Sequence, residues 1–299
     1  MLKNFIRALR LPFISASALP FIFGSLSAGR IADWSAFYLG LGAVIFAHLS
    51  ANLINDYADS RSGADWQDTR FYGFFGGSKL IQEKIFSEQF YLGAALCCAF
   101  LAAVSAICLA AVLRRLLPLG LFLAIIFLSW SYSARPLQLA YRRLGEIIIF
   151  LLFGPAPVMG GYFIQTGIFP DWRSFLLSLP FGFLTCAILF ANEVPDYAQD
   201  LKAGKLNWVG LTGARRAFIL YLCLTILAYA AIAWALILKY LGWLAWGAFI
   251  FVFLGLRAAK VLKENFDLKD RLIESSRLTI IQQNAVGVAL ILSLILCKR

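Results

Sequence analysis

Long apolar segments dominate this sequence and limit what it can fold into. Each is close to the ~20 residues that an α-helix needs to cross the hydrocarbon core of a bilayer. Only 14% of the residues are charged, whereas a soluble domain has about 25%. The chain is therefore expected to be all-α, a single multi-pass membrane domain over residues 1–299 with nine transmembrane helices. The predicted spans are 11–29, 35–55, 90–113, 117–133, 144–166, 174–195, 216–238, 241–259 and 279–297.

The first apolar segment, which follows Lys3, Arg7 and Arg10, has features of a secretory signal peptide. The apolar core of a signal peptide is about 7–15 residues long. The segment at 11–29 is longer and is sufficient to span a bilayer. We therefore expect it to be the first membrane helix rather than a cleaved leader.

The distribution of basic residues predicts the orientation of the chain. With nine spans, most of the 27 lysines and arginines fall on the side of the N-terminus, within the loops 56–89, 134–143, 196–215 and 257–278. The positive-inside rule makes that side cytoplasmic, with the N-terminus inside, in the inner or plasma membrane of the cell. A net charge of +11 then reflects orientation and contact with anionic lipid rather than nucleic-acid binding.

Two polar stretches, each at the predicted cytoplasmic end of a helix, interrupt the apolar pattern. In the first, an amide and two carboxylates at i, i+4 and i+7 share one helical face: Asn52, Asp56 and Asp59. The second has the same residue types at i, i+4 and i+8: Asn192, Asp196 and Asp200. Solvation of a helix end would explain one such stretch, but hardly two with matching residue types on the same side. The pattern favours a bipartite functional site.

Carboxylate and amide oxygens are the ligands that Mg²⁺ prefers, and phosphate oxygens of a substrate commonly complete its coordination. Basic residues that could hold such a phosphate follow both stretches. Lys79 follows Gly76 and Gly77, whose backbone N–H groups can approach an anion closely, and Lys202 and Lys205 follow the second stretch. No Walker motif is present. Because the site would open into an apolar bundle, a diphosphate attached to a lipid fits better than a nucleotide.

These motifs together resemble the UbiA superfamily of intramembrane prenyltransferases over almost the whole chain. The segment Asn55-Asp56-Tyr57-Ala58-Asp59 is similar to the family's N-D-x-x-D region, and the stretch 192–205 is similar to its second motif, N-E-x-x-D-x-x-x-D-x-x-x-G-K. Within the superfamily, Gly63-Ala64-Asp65 and Tyr132-Ser133-Ala134-Arg135-Pro136-Leu137 look like the 1,4-dihydroxy-2-naphthoate polyprenyltransferases of menaquinone synthesis.

The resemblance implies a Mg²⁺-dependent transfer of a polyprenyl group from polyprenyl diphosphate to an aromatic acceptor within the lipid bilayer, with 1,4-dihydroxy-2-naphthoate as the favoured acceptor. Pro195, which stands where the naphthoate branch usually carries Arg, leaves other acceptors of the superfamily open. These are 4-hydroxybenzoate-like acids, porphyrin-type rings and glycerophospholipids. A distant alternative is a membrane transporter, which would place its acids near the middle of the membrane.

The resemblance also implies roles for individual residues. The catalytic residues would be Asp56, Asp59, Asp65, Asp196, Asp200 and Tyr132. The diphosphate would contact Asn52, Asn55, Lys79, Arg135, Asn192, Lys202 and Lys205. The Mg²⁺ ligands would be Asn52, Asp56, Asp59, Asn192, Asp196 and Asp200.

Two further features lie outside these motifs. His48, the only histidine, precedes Asn52 by one helical turn. We expect it to be a hydrogen-bonded residue of the helix interior, with contact to the site as the alternative. The loop 257–278 has charges of both signs. It is expected to be a solvated helical loop that could also cover the site.

Overall fold

Each of the predicted apolar segments is helical in the computed structural model, which describes residues 1–297. Short 3₁₀ helices connect or extend several of the α-helices, as at Trp243–Phe251. Within the described residues the only β pairing is an isolated bridge between Arg142 and Leu206. The α-helices are α1 (Leu2–Ala8), α2 (Ser15–Ser27), α3 (Trp34–Ser62), α4 (Glu88–Leu113), α5 (Leu117–Ser133), α6 (Gly145–Phe153), α7 (Pro155–Thr166), α8 (Trp172–Lys202), α9 (Trp208–Thr212), α10 (Ala217–Ile237), α11 (Val252–Glu264) and α12 (Lys269–Leu296).

The number of membrane spans differs from the predicted nine. Within residues 1–297, 7 helical segments are long and apolar enough to cross a membrane, so the protein is an integral membrane protein. An eighth span results if the two helices at Leu2–Ala8 and Leu11–Ser27, bent by 46° at their junction, are counted as one. Helix α5 is apolar but has only 17 residues, a length of about 25 Å. The count of nine is therefore not confirmed, and the orientation stays a prediction.

Polar side chains fix where several helices begin. Asp33 accepts a hydrogen bond from the N–H of Ala36 at 2.9 Å at the start of α3, and Asp171 accepts one from Ser174 at 2.6 Å at the start of α8. Each satisfies a backbone donor that would otherwise lack a partner in the first turn. The prediction places these two aspartates on the side opposite to the other acids, and in the structure both act as helix caps.

Helix α8 is the centre of the bundle. It packs against α6, α7, α10 and α12, while α3 packs against α4 and α5. Helices α2 and α7 approach each other especially closely, because glycines face the neighbouring backbone. A Cβ on Gly24 would lie 2.1 Å from the carbonyl oxygen of Val158, and one on Gly161 would lie 2.4 Å from that of Phe21. This contact fixes α2, which borders the large cavity described below.

The close approach of α2 to α7 predicts that Gly24→Ala destabilises the fold. The added methyl group would collide with the Val158 carbonyl, and overpacking of this kind costs about 1–3 kcal/mol. Thermal unfolding of the detergent-solubilised protein measures the effect as a lowered melting temperature.

The matched control is Gly93→Ala in α4, where an added Cβ has no atom within 4 Å. Because alanine has the higher helix propensity, this variant should melt at the same temperature as the unchanged protein or slightly above it. Equal melting temperatures for the two variants would contradict the interpretation of the α2–α7 contact.

Candidate active site

A cavity of about 350 Å³ joins the polar loops to the apolar interior of the bundle. Along α3 its lining extends from Asp59 to Gly40, a distance of about 28 Å at 1.5 Å per residue. The apolar part is lined by Val44, Leu109, Leu121, Phe122 and Ile125. The polar part is lined by Asn52, Asn55, Asp59, Asp65, Lys79, Tyr132, Asn192, Asp196, Asp200 and Lys205. The structure thus brings most of the predicted site residues to one end of one cavity.

Asp56 is held from both sides by the protein itself. Arg10 forms an ion pair with its Oδ1, and the backbone N–H of Ser78 donates to its Oδ2 at 3.2 Å. The Asp56 side chain is only 3% exposed and does not line the cavity, whereas Arg10 does. Arg10 also donates to Oδ1 of Asn55 at 3.3 Å. Asp56 therefore joins the N-terminal segment, α3 and the glycine-containing loop.

Asn55 and Asp59 are oriented by neighbouring hydroxyl groups. The Asn55 amide donates to Oγ of Ser133 at 2.6 Å and to Oδ2 of Asp59 at 3.2 Å. The hydroxyl of Tyr141 donates to Oδ1 of Asp59 at 3.3 Å. Burial and the nearby Asp59 raise the pKa of Tyr141 to about 12, so that it stays a hydrogen-bond donor at neutral pH. These bonds keep the Asp59 carboxylate at the cavity wall.

The loop with Gly76 and Gly77 passes between the two acidic faces. Both glycines have a positive φ, 75° and 77°, which suits residues without a Cβ. A Cβ on Gly77 would lie 3.3 Å from Oδ1 of Asp56, and one on Gly76 would lie 3.8 Å from Oδ1 of Asp196. The loop backbone therefore lies against carboxylates of both motifs.

Lys79 and Asp65 form a buried ion pair at the end of this loop. The Lys79 ammonium lies 2.8 Å from Oδ1 of Asp65 and 3.1 Å from its carbonyl oxygen. Burial raises the pKa of Asp65 to about 6, the carboxylate of Asp59 adds to the increase, and Lys79 opposes it. Asp65 is thus a carboxyl group that changes its charge near neutral pH.

The second acidic face lies on α8, which continues without a break through Pro195 to Lys202. Asp200 accepts a hydrogen bond from Asn207 at 2.8 Å, and its Oδ1 lies 3.7 Å from the ammonium of Lys205. Burial acts to lower the pKa of Lys205, but the carboxylates of Asp200 and Asp59 outweigh it and raise that pKa well above its ordinary value. Lys205 is therefore a permanent positive charge at the cavity.

The N-terminus of α12 also reaches this end of the cavity. Lys269 lies 2.7 Å from Oδ2 of Asp68 and 3.8 Å from Oδ1 of Asp196. Burial acts to raise the pKa of Asp68, but the hydrogen bonds from Lys269 and from the Arg70 backbone lower it overall. The predicted solvated loop 257–278 thus contributes a charge to the site.

The structure does not place every predicted residue at the cavity. Arg135 and Lys202 are exposed and lie outside its lining. Conversely, the sequence interpretation missed Arg10, Gln199 and Lys269. Gln199 could have been found, because it lies at i+7 from Asn192 on the same helical face.

The side chains at the polar end of the cavity offer oxygen ligands of the kind that Mg²⁺ prefers. Within residues 1–297 no three His, Cys, Asp or Glu side chains converge on a common metal position. Mg²⁺ is, however, commonly held by only one or two carboxylates together with substrate phosphates. Asn192 Oδ1 and Gln199 Oε1 are buried oxygens without a hydrogen-bond partner, and both residues line the polar end of the cavity. The residues present therefore fit a hard cation that a phosphate helps to bind.

Comparison with known proteins is consistent with this geometry. The model of the UbiA prenyltransferase family matches residues 17–273. The UbiA prenyltransferase domain-containing protein 1 homolog of Drosophila melanogaster is 30% identical over 77% of this chain and 63% of its own length. The 1,4-dihydroxy-2-naphthoate octaprenyltransferase of Mycobacterium tuberculosis is 27% identical over 64% of this chain and 62% of its own length. The chain thus aligns with less than two thirds of either relative.

The fold is shared with a solved UbiA homolog from Archaeoglobus fulgidus bound to DMAPP and Mg²⁺. The two structures have a TM-score of 0.65 at 17% sequence identity, and the alignment covers 96% of this chain and 99% of the homolog. At this level of identity the likeness shows a common fold.

The raised pKa of Asp65 predicts that this residue makes the protein less stable as the pH rises. Its pKa is about 6 in the folded state, compared with an ordinary value of 3.8. The folded state therefore binds this proton more tightly, and the resulting stabilisation is complete below about pH 4 and lost as the pH rises through 6. Melting temperatures of the unchanged protein and of Asp65→Asn should be compared between pH 4 and 7.5.

The expected result is that the unchanged protein loses melting temperature relative to Asp65→Asn as the pH increases. A difference between the two proteins that stays constant over this range, or that changes in the opposite direction, would contradict the assignment of the raised pKa to Asp65.

Proposed function

Because the chain belongs to the UbiA prenyltransferase family, we propose that it transfers the prenyl group of a polyprenyl diphosphate to an aromatic acceptor and releases diphosphate. The observation that carries this proposal is the single cavity with both acidic faces at one end and apolar helix surfaces along the rest. Such a cavity suits an amphiphile with a charged diphosphate head and a hydrocarbon tail. The Archaeoglobus fulgidus homolog, whose structure holds DMAPP and Mg²⁺, supports the same ligand class.

The diphosphate would lie at the polar end. Lys79, Lys205 and Arg10 supply positive charge there, and the loop at Gly76 and Gly77 lies against both acidic faces. Bound Mg²⁺ would neutralise the diphosphate and make it a better leaving group. Its predicted ligands at the cavity wall are Asn52, Asp59, Asn192, Asp196 and Asp200. Asp56 differs from these, since both of its oxygens already accept bonds from Arg10 and Ser78.

The reaction requires that water is kept from the allylic carbon after its C–O bond breaks. The apolar wall of the cavity does this, and the ring of Tyr132, also in the wall, would stabilise positive charge by cation–π attraction. A ring carbon of the acceptor then forms the new C–C bond, and the proton on that carbon must leave to a base. Asp65, with a pKa of about 6, would accept this proton.

We propose 1,4-dihydroxy-2-naphthoate as the acceptor, in a step of menaquinone synthesis. The support comes from the name of the Mycobacterium tuberculosis relative and from the resemblance of Gly63-Ala64-Asp65 to the naphthoate branch. The cytoplasmic orientation of the site in the cell membrane is part of the same proposal. It is supported by Lys79, Lys205 and Lys269, which place the basic loops at the polar end of the cavity.

The proposed function predicts Mg²⁺-dependent formation of a prenylated product. Purified protein in lipid nanodiscs should release diphosphate from farnesyl diphosphate in the presence of 1,4-dihydroxy-2-naphthoate, and EDTA should abolish the release. Asp196→Asn removes a carboxylate charge from the cavity wall and is expected to lower the rate by roughly a hundredfold or more. Parallel assays with 4-hydroxybenzoate and with a glycerophospholipid test the alternative acceptors.

Asp171→Asn is the matched control, because it makes the same change at the other end of the same helix. Asparagine is also a good N-cap, so this variant should keep the full rate. Folded protein that forms no product with any acceptor would contradict the proposed function, and equal rates for the two variants would contradict the site.

The apolar part of the cavity predicts which residues limit the length of the prenyl tail. Leu121→Trp in α5 would narrow the cavity, whereas Leu123→Trp on the same helix changes a side chain that is 65% exposed and outside the lining. Turnover of geranylgeranyl diphosphate should fall about tenfold or more in Leu121→Trp, since overpacking costs about 1–3 kcal/mol. Dimethylallyl diphosphate, whose tail is short, should be turned over as before. A loss that is the same for all tail lengths, or equal in Leu123→Trp, would contradict this placement of the tail.

A further inference from the structure

His48 borders the cavity and has one ring nitrogen that no protein group uses. Its side chain packs edge-to-face on Phe153, with ring centroids 5.0 Å apart, and its Nδ1 lies 2.8 Å from Oγ of Ser17. The other nitrogen, Nε2, has no hydrogen-bond partner within residues 1–297 and is not fully buried, so it is open to the cavity that His48 lines.

The bond to Ser17 is compatible with the ring tautomer that carries its proton on Nδ1. A serine hydroxyl has a single proton, and Ser17 can donate it to the carbonyl oxygen of Ile14, which lies 3.1 Å away. In that arrangement the Ser17 oxygen accepts a hydrogen bond from Nδ1–H of His48. In the neutral ring this leaves Nε2 with a free lone pair. Ser17 lies on α2, the helix whose Gly24 contacts the backbone of α7.

This lone pair lies at the boundary between the polar and apolar parts of the cavity. His48 precedes Asn52 by one turn on α3, about 6 Å along the helix axis towards the apolar part. Phe153, Pro157 and Ala51 line the cavity beside it. A hydrogen-bond acceptor in such surroundings stays unsatisfied unless water or a ligand donates to it. In the proposed reaction, the acceptor ring must meet the prenyl group just beyond the diphosphate, which is this part of the cavity.

We infer that His48 is an acceptor-binding residue whose Nε2 accepts a hydrogen bond from a ring hydroxyl of the aromatic acceptor. The inference rests on the proposed function and extends it to the part of the site that recognises the acceptor. The bond would set the position of the ring relative to the allylic carbon. It would also make the hydroxyl oxygen more negative, which pushes electron density into the ring and makes its carbon a better nucleophile. Acceptors without a hydroxyl at this position would be rejected.

The test compares two substitutions that each preserve one half of the imidazole. The amide of Asn in His48→Asn can still reach Ser17 but not the position of Nε2, whereas the longer side chain of His48→Gln reaches that position. The substrates are 1,4-dihydroxy-2-naphthoate and its two mono-O-methyl ethers, with farnesyl diphosphate and Mg²⁺, and the enzyme is the full chain in nanodiscs. KM is measured separately for the acceptor and for the prenyl diphosphate.

His48→Asn should raise the KM for the acceptor about ten- to a hundredfold, the range for leaving a polar group unpaired, with the KM for farnesyl diphosphate unchanged. His48→Gln should stay closer to the unchanged protein. With the unchanged protein, one of the two ethers should have a KM higher than that of the parent acceptor by a similar factor. The KM for this ether should not increase further in His48→Asn. An unchanged acceptor KM in His48→Asn, or a loss that simply adds to the loss for both ethers, overturns the inference.

Ser17→Ala provides a second route that leaves His48 in place. Loss of the partner of Nδ1 frees the ring to change tautomer, so the acceptor KM should rise, though less than in His48→Asn. Its matched control is Ser25→Ala on the same helix, where the hydroxyl bonds only to the carbonyl of Phe21 and does not line the cavity. Equal acceptor KM values for the two serine variants would count against the inference.

The outcomes also separate this inference from the proposed function. If the unchanged protein turns over both ethers at the same rate as the parent acceptor, only the role of His48 is overturned. This comparison uses the unchanged protein alone and does not depend on the folding of any variant. If the unchanged, folded protein forms no product with any acceptor, the proposed function fails and the role of His48 fails with it.

Discussion

The carboxylates at the polar end of the cavity can lie at that depth because basic residues from other segments lie against them. Isolated buried carboxylates would be too costly, so each needs a partner. Asp56 is paired with Arg10 from the N-terminal segment, and Asp65 with Lys79 from the loop after α3. Asp200 lies near Lys205, and Lys269 of α12 lies near both Asp68 and Asp196. Pairing of the acids thus links the loops to the helices at the polar end of the bundle.

The apolar part of the cavity lies between helices that contact one another at some positions and leave space between them at others. Glycine at Gly24 and Gly161 lets α2 contact the α7 backbone, and α2 also carries Ser17 at the cavity wall. Ser17 in turn orients His48 at the boundary of the polar and apolar parts. One helix thus carries both the close contact with α7 and the hydroxyl that bonds to His48, while Gly24 and Gly161 do not line the cavity themselves.

The sequence predicted the helices and both acidic faces, because these depend on residues close together in the chain. Apolar runs identify the helices, and the spacing of Asn52 and Asp59 places them on one face. It did not predict the partners of the acids. The pair of Arg10 with Asp56 joins positions 46 residues apart, and that of Lys269 with Asp68 joins positions 201 apart. Local spacing carries no information about such contacts. The span count differed because α5 is short and α1 is bent relative to α2.

The structure also separates acids that end helices from acids that belong to the site. Helix-end solvation was the simple alternative for the two acidic faces, and it requires carboxylates that are open to water. Asp33 and Asp171 serve as helix caps, each bonded to a backbone N–H in its own first turn. On the two faces, by contrast, the side chains of Asp56 and Asp200 are only 3% and 10% exposed, and Asp200 lines the cavity. Burial at this cost, in two segments that face the same cavity, is expected when the carboxylates bind a ligand rather than solvate a helix end.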